Sequence, residues 1–154
     1  MFDRQNDVAL LSNGANDYTN PVGSTWSYAF SGQHGWSDTF FHSVAFNSQP
    51  TVSRHVSVWD DRHRRMLLFG GTDAGYHLQN AVFSLQDSSF YGNYGYRYWS
   101  GLPTVGTPPA PRQGTAAIYD PVGDRMLVFG GLTFTGYSRG DLWQLSLSGT
   151  PTWS

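Results

Sequence analysis

The sequence predicts an all-β fold made of repeated four-stranded units, and three observations carry that expectation. A segment recurs sixty residues downstream without a gap. The apolar runs have strand length, roughly 4–8 residues, and none reaches the ~10 that a helix needs. Eighteen Gly and eight Pro in 154 residues exceed average usage without reaching a low-complexity composition, which implies many turns between packed segments.

Residues 54–71, RHVSVWDDRHRRMLLFGG, align on 114–131, GTAAIYDPVGDRMLVFGG. Identical pairs are Asp60/Asp120, Arg65/Arg125, Met66/Met126, Leu67/Leu127, Phe69/Phe129, Gly70/Gly130 and Gly71/Gly131. The offset continues from NAVFSL (80–85) to GDLWQL (140–145), and each copy then reaches a Trp-Ser pair, Trp99-Ser100 or Trp153-Ser154. Self-similarity of this kind marks repeat architectures.

The unit reads as four segments in order. Segment a, VSVW or TAAIY, ends at Asp60 or Asp120 in a polar turn, DDRHRR or DPVGDR, of the kind that closes a hairpin. Segment b, RMLLF or RMLVF, is apolar without alternation, as in a strand covered on both faces. The glycine pair after it allows positive φ and close backbone approach. Segment c is AVFSL or DLWQL, and d begins at Trp99 or Trp153. NDVALLS followed by Trp26-Ser27 repeats only the c and d half.

A double glycine after an apolar strand, then an aromatic, then a later Trp resembles the kelch repeat. Gly70-Gly71, Phe83 and Trp99 carry that pattern in one copy; Gly130-Gly131, Trp143 and Trp153 carry it in the next. The segment WSGLPTVGTPPAPR (99–112) running into the second copy is similar to bacterial kelch-motif proteins of the galactose oxidase central-domain superfamily. The resemblance implies a β-propeller fragment of about two and a half four-stranded blades, with Trp and Phe filling the wedges between blades. Residues 1–30 are then the later half of a blade, 31–53 an inserted loop, 54–101 a full blade, and 102–154 a blade ending at the start of its last strand. The insertion follows from spacing: Trp26 to Asp60 is about 13 positions longer than Trp99 to Asp120, and such insertions sit in loops on one face.

Composition narrows the function. The chain contains no Cys, Lys or Glu, which removes disulfides, thiolate nucleophiles, Cys-ligated zinc, a P-loop lysine and Schiff-base lysines. A copper site with a cysteine cross-linked to tyrosine, the galactose oxidase arrangement, cannot form. Neither a GxSxG elbow nor a GxGxxG after a strand is present. Net charge is −2, so no global attraction to nucleic acid or anionic lipid is expected. The N-terminus lacks the order of a signal peptide. The sequence names no compartment; an extracytoplasmic or secreted location is slightly favoured for the parent protein.

Strand alternation sends the d-to-a and b-to-c connections to one rim, where kelch-type proteins commonly bind partners. That rim gathers the insertion with Trp36 and His42, together with Arg54, Arg112 and the loops 72–80 and 132–140, which carry Tyr76, His77, Tyr137 and Arg139. Arg54, Tyr76, His77, Arg112, Tyr137 and Arg139 are the expected partner-binding residues, because Tyr gives rigid amphipathic area and Arg a planar fork for carboxylates. The five histidines, His34, His42, His55, His63 and His77, show no tight ligand spacing, so neither metal nor cofactor is expected. Asp60 and Asp120 are read as turn formers, and Arg62-His63-Arg64-Arg65 as a solvated hairpin tip.

The reading is a non-enzymatic interaction or scaffold module, part of a larger propeller, that binds a protein partner through its loop face. Two alternatives stay open. One is an extracellular carbohydrate-binding propeller using the tract FYGNYGYRYW (90–99), with a glycan as ligand. The other is part of a propeller enzyme whose catalytic residues lie outside this chain. Exposed apolar faces at the ends of a partial propeller also imply self-association through open blade edges.

Overall fold

The computed structural model describes residues 2–3, 7–15, 21–32, 34–38, 50–87 and 97–154. Among them every regular element is a strand, and the strands form three four-stranded antiparallel sheets. Sheet I contains β1 (Phe2–Asp3), β2 (Val8–Ala15), β3 (Pro21–Ala29) and β4 (Gly35–Asp38), in that order. A two-stranded ribbon joins β5 (Val52–Ser53) to β8 (Thr72–Asp73). Sheet II consists of β6 (Val56–Asp60), β7 (Arg65–Phe69), β9 (Val82–Asp87) and β10 (Arg97–Gly101). Sheet III repeats it with β11 (Ala116–Asp120), β12 (Arg125–Phe129), β13 (Leu142–Ser146) and β14 (Thr152–Trp153).

The register of sheets II and III is the same under the sixty-residue offset. Trp59 faces Met66 as Tyr119 faces Met126, and Leu85 faces Trp99 as Leu145 faces Trp153. Sheet I keeps the last pairing, Leu11 with Trp26.

Segment 31–53, expected as an inserted loop, is partly sheet. Gly35–Asp38 pairs with β3 along Trp26 to Ala29, and Val52–Ser53 belongs to the ribbon with β8. The remaining backbone groups along β3 gave the segment a ladder to join, and its lack of alternation concealed this. Residues 39–49 lie outside the described part.

Alternating side chains divide each sheet into two faces, and both faces of sheet II are buried. Met66, Leu68, Leu85 and Trp99 pack with Leu10 of sheet I and Val52. Val58, Leu67, Phe69 and Val82 pack with Met126, Val128, Leu145 and Trp153 of sheet III and with Leu147, which follows β13. The run Met66-Leu67-Leu68-Phe69 therefore lacks alternation because its neighbours cover both sides. Trp99 Nε1 donates to Thr25 Oγ1 of sheet I at 3.2 Å, and Phe69 meets Trp153 with ring centroids 5.2 Å apart.

The glycine pairs close the stack at one rim. Gly71 has φ 96°, and a Cβ there would lie 2.6 Å from Ser53 O; Gly131 has φ 101°, with Gln113 O at 2.9 Å. No side chain fits where the strand end meets the segment leading into the first strand of the same sheet.

Candidate functional site

The loops that leave β7 and β12 carry four of the residues expected to bind a partner, Tyr76, His77, Tyr137 and Arg139. In the first, Asp73 accepts hydrogen bonds from Gly75 N (2.9 Å), His77 N (2.9 Å) and Gln79 Nε2 (2.7 Å). Tyr76 N donates to Asp73 O at 3.0 Å, and Asp73 N to His77 O at 3.1 Å. The backbone hydrogen bond from His77, foremost, holds the Asp73 carboxyl below the ordinary carboxylate range. In the second loop Thr133 replaces Asp73: Thr133 N donates to Tyr137 O at 3.1 Å and Gly136 N to Thr133 O at 2.9 Å. Both loops are short, tied turns that present exposed side chains.

Tyr76, His77, Tyr137 and Arg139 are exposed on these turns, and Tyr137 is 74% exposed. The His77 ring lies beside Asp73, with Nδ1 to Oδ1 at 3.4 Å. Arg54 is exposed beside them; its Nη1 donates to Gln113 Oε1 at 3.4 Å, an oxygen that also accepts from Thr72 Oγ1 at 2.6 Å. Gln113, in the segment that precedes sheet III, thus ties together Arg54, which precedes sheet II, and Thr72 of β8. Phe134, 81% exposed in the second loop, was not among the expected residues. Its repeat counterpart is Ala74, and that change of size at a turn was the available signal.

Two rim residues sit in a backbone region that disfavours them. Arg54 has φ 55° and Tyr76 φ 62°, and their repeat counterparts are Gly114 (φ 63°) and Gly136 (φ 78°). The turn geometry is therefore common to both copies, while two side chains are kept where glycine fits without strain.

Arg112 departs from the expected set. It is 1% exposed and turned into the protein. Its guanidinium grips Asp141 bidentately, at 2.7 and 3.0 Å, and also donates to Gly130 O (3.0 Å) and Ala110 O (2.9 Å). Its backbone reaches back to sheet II, with Gly71 N to Arg112 O at 2.9 Å and Arg112 N to Gln79 O at 3.1 Å. Arg112 is a strut between sheets and is not presented to solvent. Hydrogen bonding from Arg112, and then from Trp143 Nε1 at 2.7 Å, holds Asp141 far below the ordinary carboxylate range. Trp36, also placed on the rim by the sequence, is exposed on β4 with its ring edge-on to Tyr28 at 5.3 Å. His42, Tyr94 and Tyr96 lie outside the described residues, as does the tract through residue 96.

The a-to-b turns form an ionic cluster at the opposite rim. Asp60 is fully buried and accepts from His63 N (3.1 Å), His63 Nδ1 (2.9 Å) and Arg65 Nε (2.9 Å). Asp120 does the same work in the second copy, accepting from Val122 N, Gly123 N and Arg125 Nε at 3.0, 3.1 and 2.9 Å. Both aspartates form turns, as their position indicates. The basic run is not simply a solvated tip, because Arg62 reaches Asp124 of sheet III at 3.5 Å. Asp124 also accepts from Tyr119 Oη at 3.0 Å, and burial, with that bond, pushes the Tyr119 hydroxyl up to about 12. Asp60, His63 and Asp124 bring ligand atoms within 4.8 Å of one another. Arg62 and Arg65 already balance the two carboxylates, so the arrangement reads as an inter-sheet salt cluster.

No protein-family model matches the chain, and no curated protein matches it. Among solved structures, one described as the structure of YjhT superimposes over 96% of this chain with a TM-score of 0.63 at 14% identity. This chain spans 42% of that one, less than half of its length. What the likeness shows is the fold alone: an all-β, propeller-like set of antiparallel sheets, with no closed sheet among the described residues.

Proposed function

We propose that the chain is a kelch-type interaction module, about two and a half blades of a larger propeller, that binds a protein partner through the rim bearing Arg54, Tyr76, His77, Phe134, Tyr137 and Arg139. One observation carries the reading. Arg54 and Tyr76 occupy left-handed positions that the repeat otherwise fills with Gly114 and Gly136, a placement that costs on the order of 1–2 kcal/mol per residue. Strain retained at an exposed turn points to a use for the side chain outside the fold. The chemistry of the set is that of a protein contact: planar guanidinium groups for carboxylates and rigid aromatic anchors. The short tied turns limit the ordering cost of binding.

The test separates recognition from folding. Arg54→Gly combined with Tyr76→Gly is expected to leave thermal stability unchanged or raise it by about 1 kcal/mol. Cross-linking followed by mass spectrometry is expected to recover a protein with the wild-type chain and to lose at least tenfold of it with the double variant. Equal recovery from both chains overturns the rim as the binding surface. Selective binding on a glycan array, with no protein recovered, favours the carbohydrate alternative.

A further inference from the structure

Resting on the reading that the rim binds a protein, we infer that the partner presents an acidic segment whose carboxylates are taken by Arg54 and Arg139. The charges on the two rims carry this. The turns at the opposite rim, 60–65 and 120–125, hold four aspartates, Asp60, Asp61, Asp120 and Asp124, and four arginines, Arg62, Arg64, Arg65 and Arg125. There Arg62, Arg65 and Arg125 each reach an aspartate. The loops 72–80 and 132–141, with the segments 50–55 and 102–115 that lead into β6 and β11, hold three arginines, Arg54, Arg112 and Arg139, against two aspartates, Asp73 and Asp141. This excess is positive although the whole chain carries −2. Blades stack through their faces, so a neighbour in a larger propeller adds to such a rim without covering it.

Both aspartates are already engaged. Asp141 is held bidentately by buried Arg112 and also accepts from Trp143 Nε1. Asp73 turns Oδ1 to Gly75 N and His77 N, and Oδ2 to Gln79 Nε2. Among the described residues no aspartate pairs with Arg54, whose guanidinium donates to the neutral amide oxygen of Gln113. None pairs with Arg139, whose backbone N donates to Gly131 O at 2.9 Å. Two planar forks are therefore presented to solvent, each able to take a carboxylate through two parallel hydrogen bonds. Gln113 braces their supports against each other. Its Oε1 accepts from Arg54 and Thr72, and its backbone exchanges hydrogen bonds with Leu132, beside the glycine that holds Arg139. Exposed Tyr76, Phe134 and Tyr137 on the same two turns offer rings to the residues that flank a carboxylate. A phosphorylated segment is less suited, because phosphate favours converging backbone N–H groups. Those of Gly75, Tyr76, His77 and Gly136 are bonded within the turns.

Binding of the labelled 154-residue chain to an array of short random peptides, with a serine-phosphorylated set beside it, tests the inference. Bound peptides are expected to hold about twice the average Asp and Glu content of the array, with a signal at least about fivefold weaker at ~0.5 M than at ~0.05 M salt. Arg54→Gln combined with Arg139→Gln is expected to abolish the acidic preference, whereas Arg64→Gln, which removes a charge from the opposite rim, retains it. Thermal unfolding verifies that each variant folds, and Arg54→Ser with Arg139→Ser repeats the measurement if the glutamine pair does not. The inference is overturned by binding without an acidic preference or by stronger binding to the phosphorylated set. A preference that survives the double variant, or that Arg64→Gln also removes, overturns it as well. The rim is judged separately: peptides of any composition that are lost with Tyr76→Ala and Tyr137→Ala keep it as the binding surface, and only the acidic partner falls. Absence of binding to every peptide overturns the acidic segment, and the cross-linking comparison with Arg54→Gly and Tyr76→Gly then decides the rim.

Discussion

Arg112 and Arg54 show how differently one residue type can be used in two connections of the same kind. Both precede a first strand, yet Arg54 lies in solvent and Arg112 is buried on Asp141. The repeat counterparts of Arg112 and Asp141 are Val52 and Ala81, so the ion pair belongs to sheet III alone. Asp141→Asn leaves a buried guanidinium without its anion. A fully buried pair broken this way loses ~3–5 kcal/mol; since 36% of the Asp141 side chain remains exposed, a loss of about 2–3 kcal/mol in urea unfolding is expected. The pH dependence has a defined sign. Asp141 is held below its ordinary range in the folded chain, so its contribution is present above about pH 3.9, the unfolded value, and fades as pH falls toward the folded value. The wild-type melting temperature should accordingly fall more steeply with acid below about pH 4 than that of Asp141→Asn.

At the scale of the element, the strand-glycine-glycine unit is set by sterics that act locally. Gly70 and Gly71 have φ 70° and 96°, and Gly130 and Gly131 have φ 68° and 101°. Gly71→Ala places a methyl 2.6 Å from Ser53 O in a backbone region closed to alanine, and is expected to cost at least about 1–3 kcal/mol. Gly114→Ala, whose Cβ would meet nothing within 4 Å, should cost only the conformational part, about 1 kcal/mol. Equal losses in chemical denaturation would remove the steric explanation. These elements were legible in the sequence because strand length, turn chemistry and glycine pairs are local properties. β4 was not legible: Gly35–Asp38 shows no alternation of its own and is a strand only because β3 offers it a ladder.

For the whole molecule, stacking decides what a residue is worth. Phe69 and Phe129 share a motif, a strand position and a turn, but sheet III covers only Phe69. Phe69→Ala is expected to lose about 3–5 kcal/mol, whereas Phe129→Ala, measured at concentrations where the chain is a monomer, stays within about 0.5 kcal/mol of wild type. Comparable losses would mean that the two faces are equally covered. The same reasoning explains Trp26, which keeps the register of Trp99 and Trp153 yet is 40% exposed against their 4% and 3%. Its side of sheet I has no described sheet against it.

The sequence by itself determined the repeat, its four-strand composition, the turns at Asp60 and Asp120 and the need for glycine after β7 and β12. Each of these rests on contacts within a few residues or on the chemistry of one residue type. Only the tertiary structure decided that Arg112 is buried, that 35–38 joins a sheet, that Arg62 binds Asp124 across a sheet boundary, and which faces remain open. Those outcomes depend on partners distant in sequence, such as Asp141 for Arg112 and sheet III for Phe69. A local pattern states what a side chain can satisfy, and the packing of the sheets decides which neighbour satisfies it.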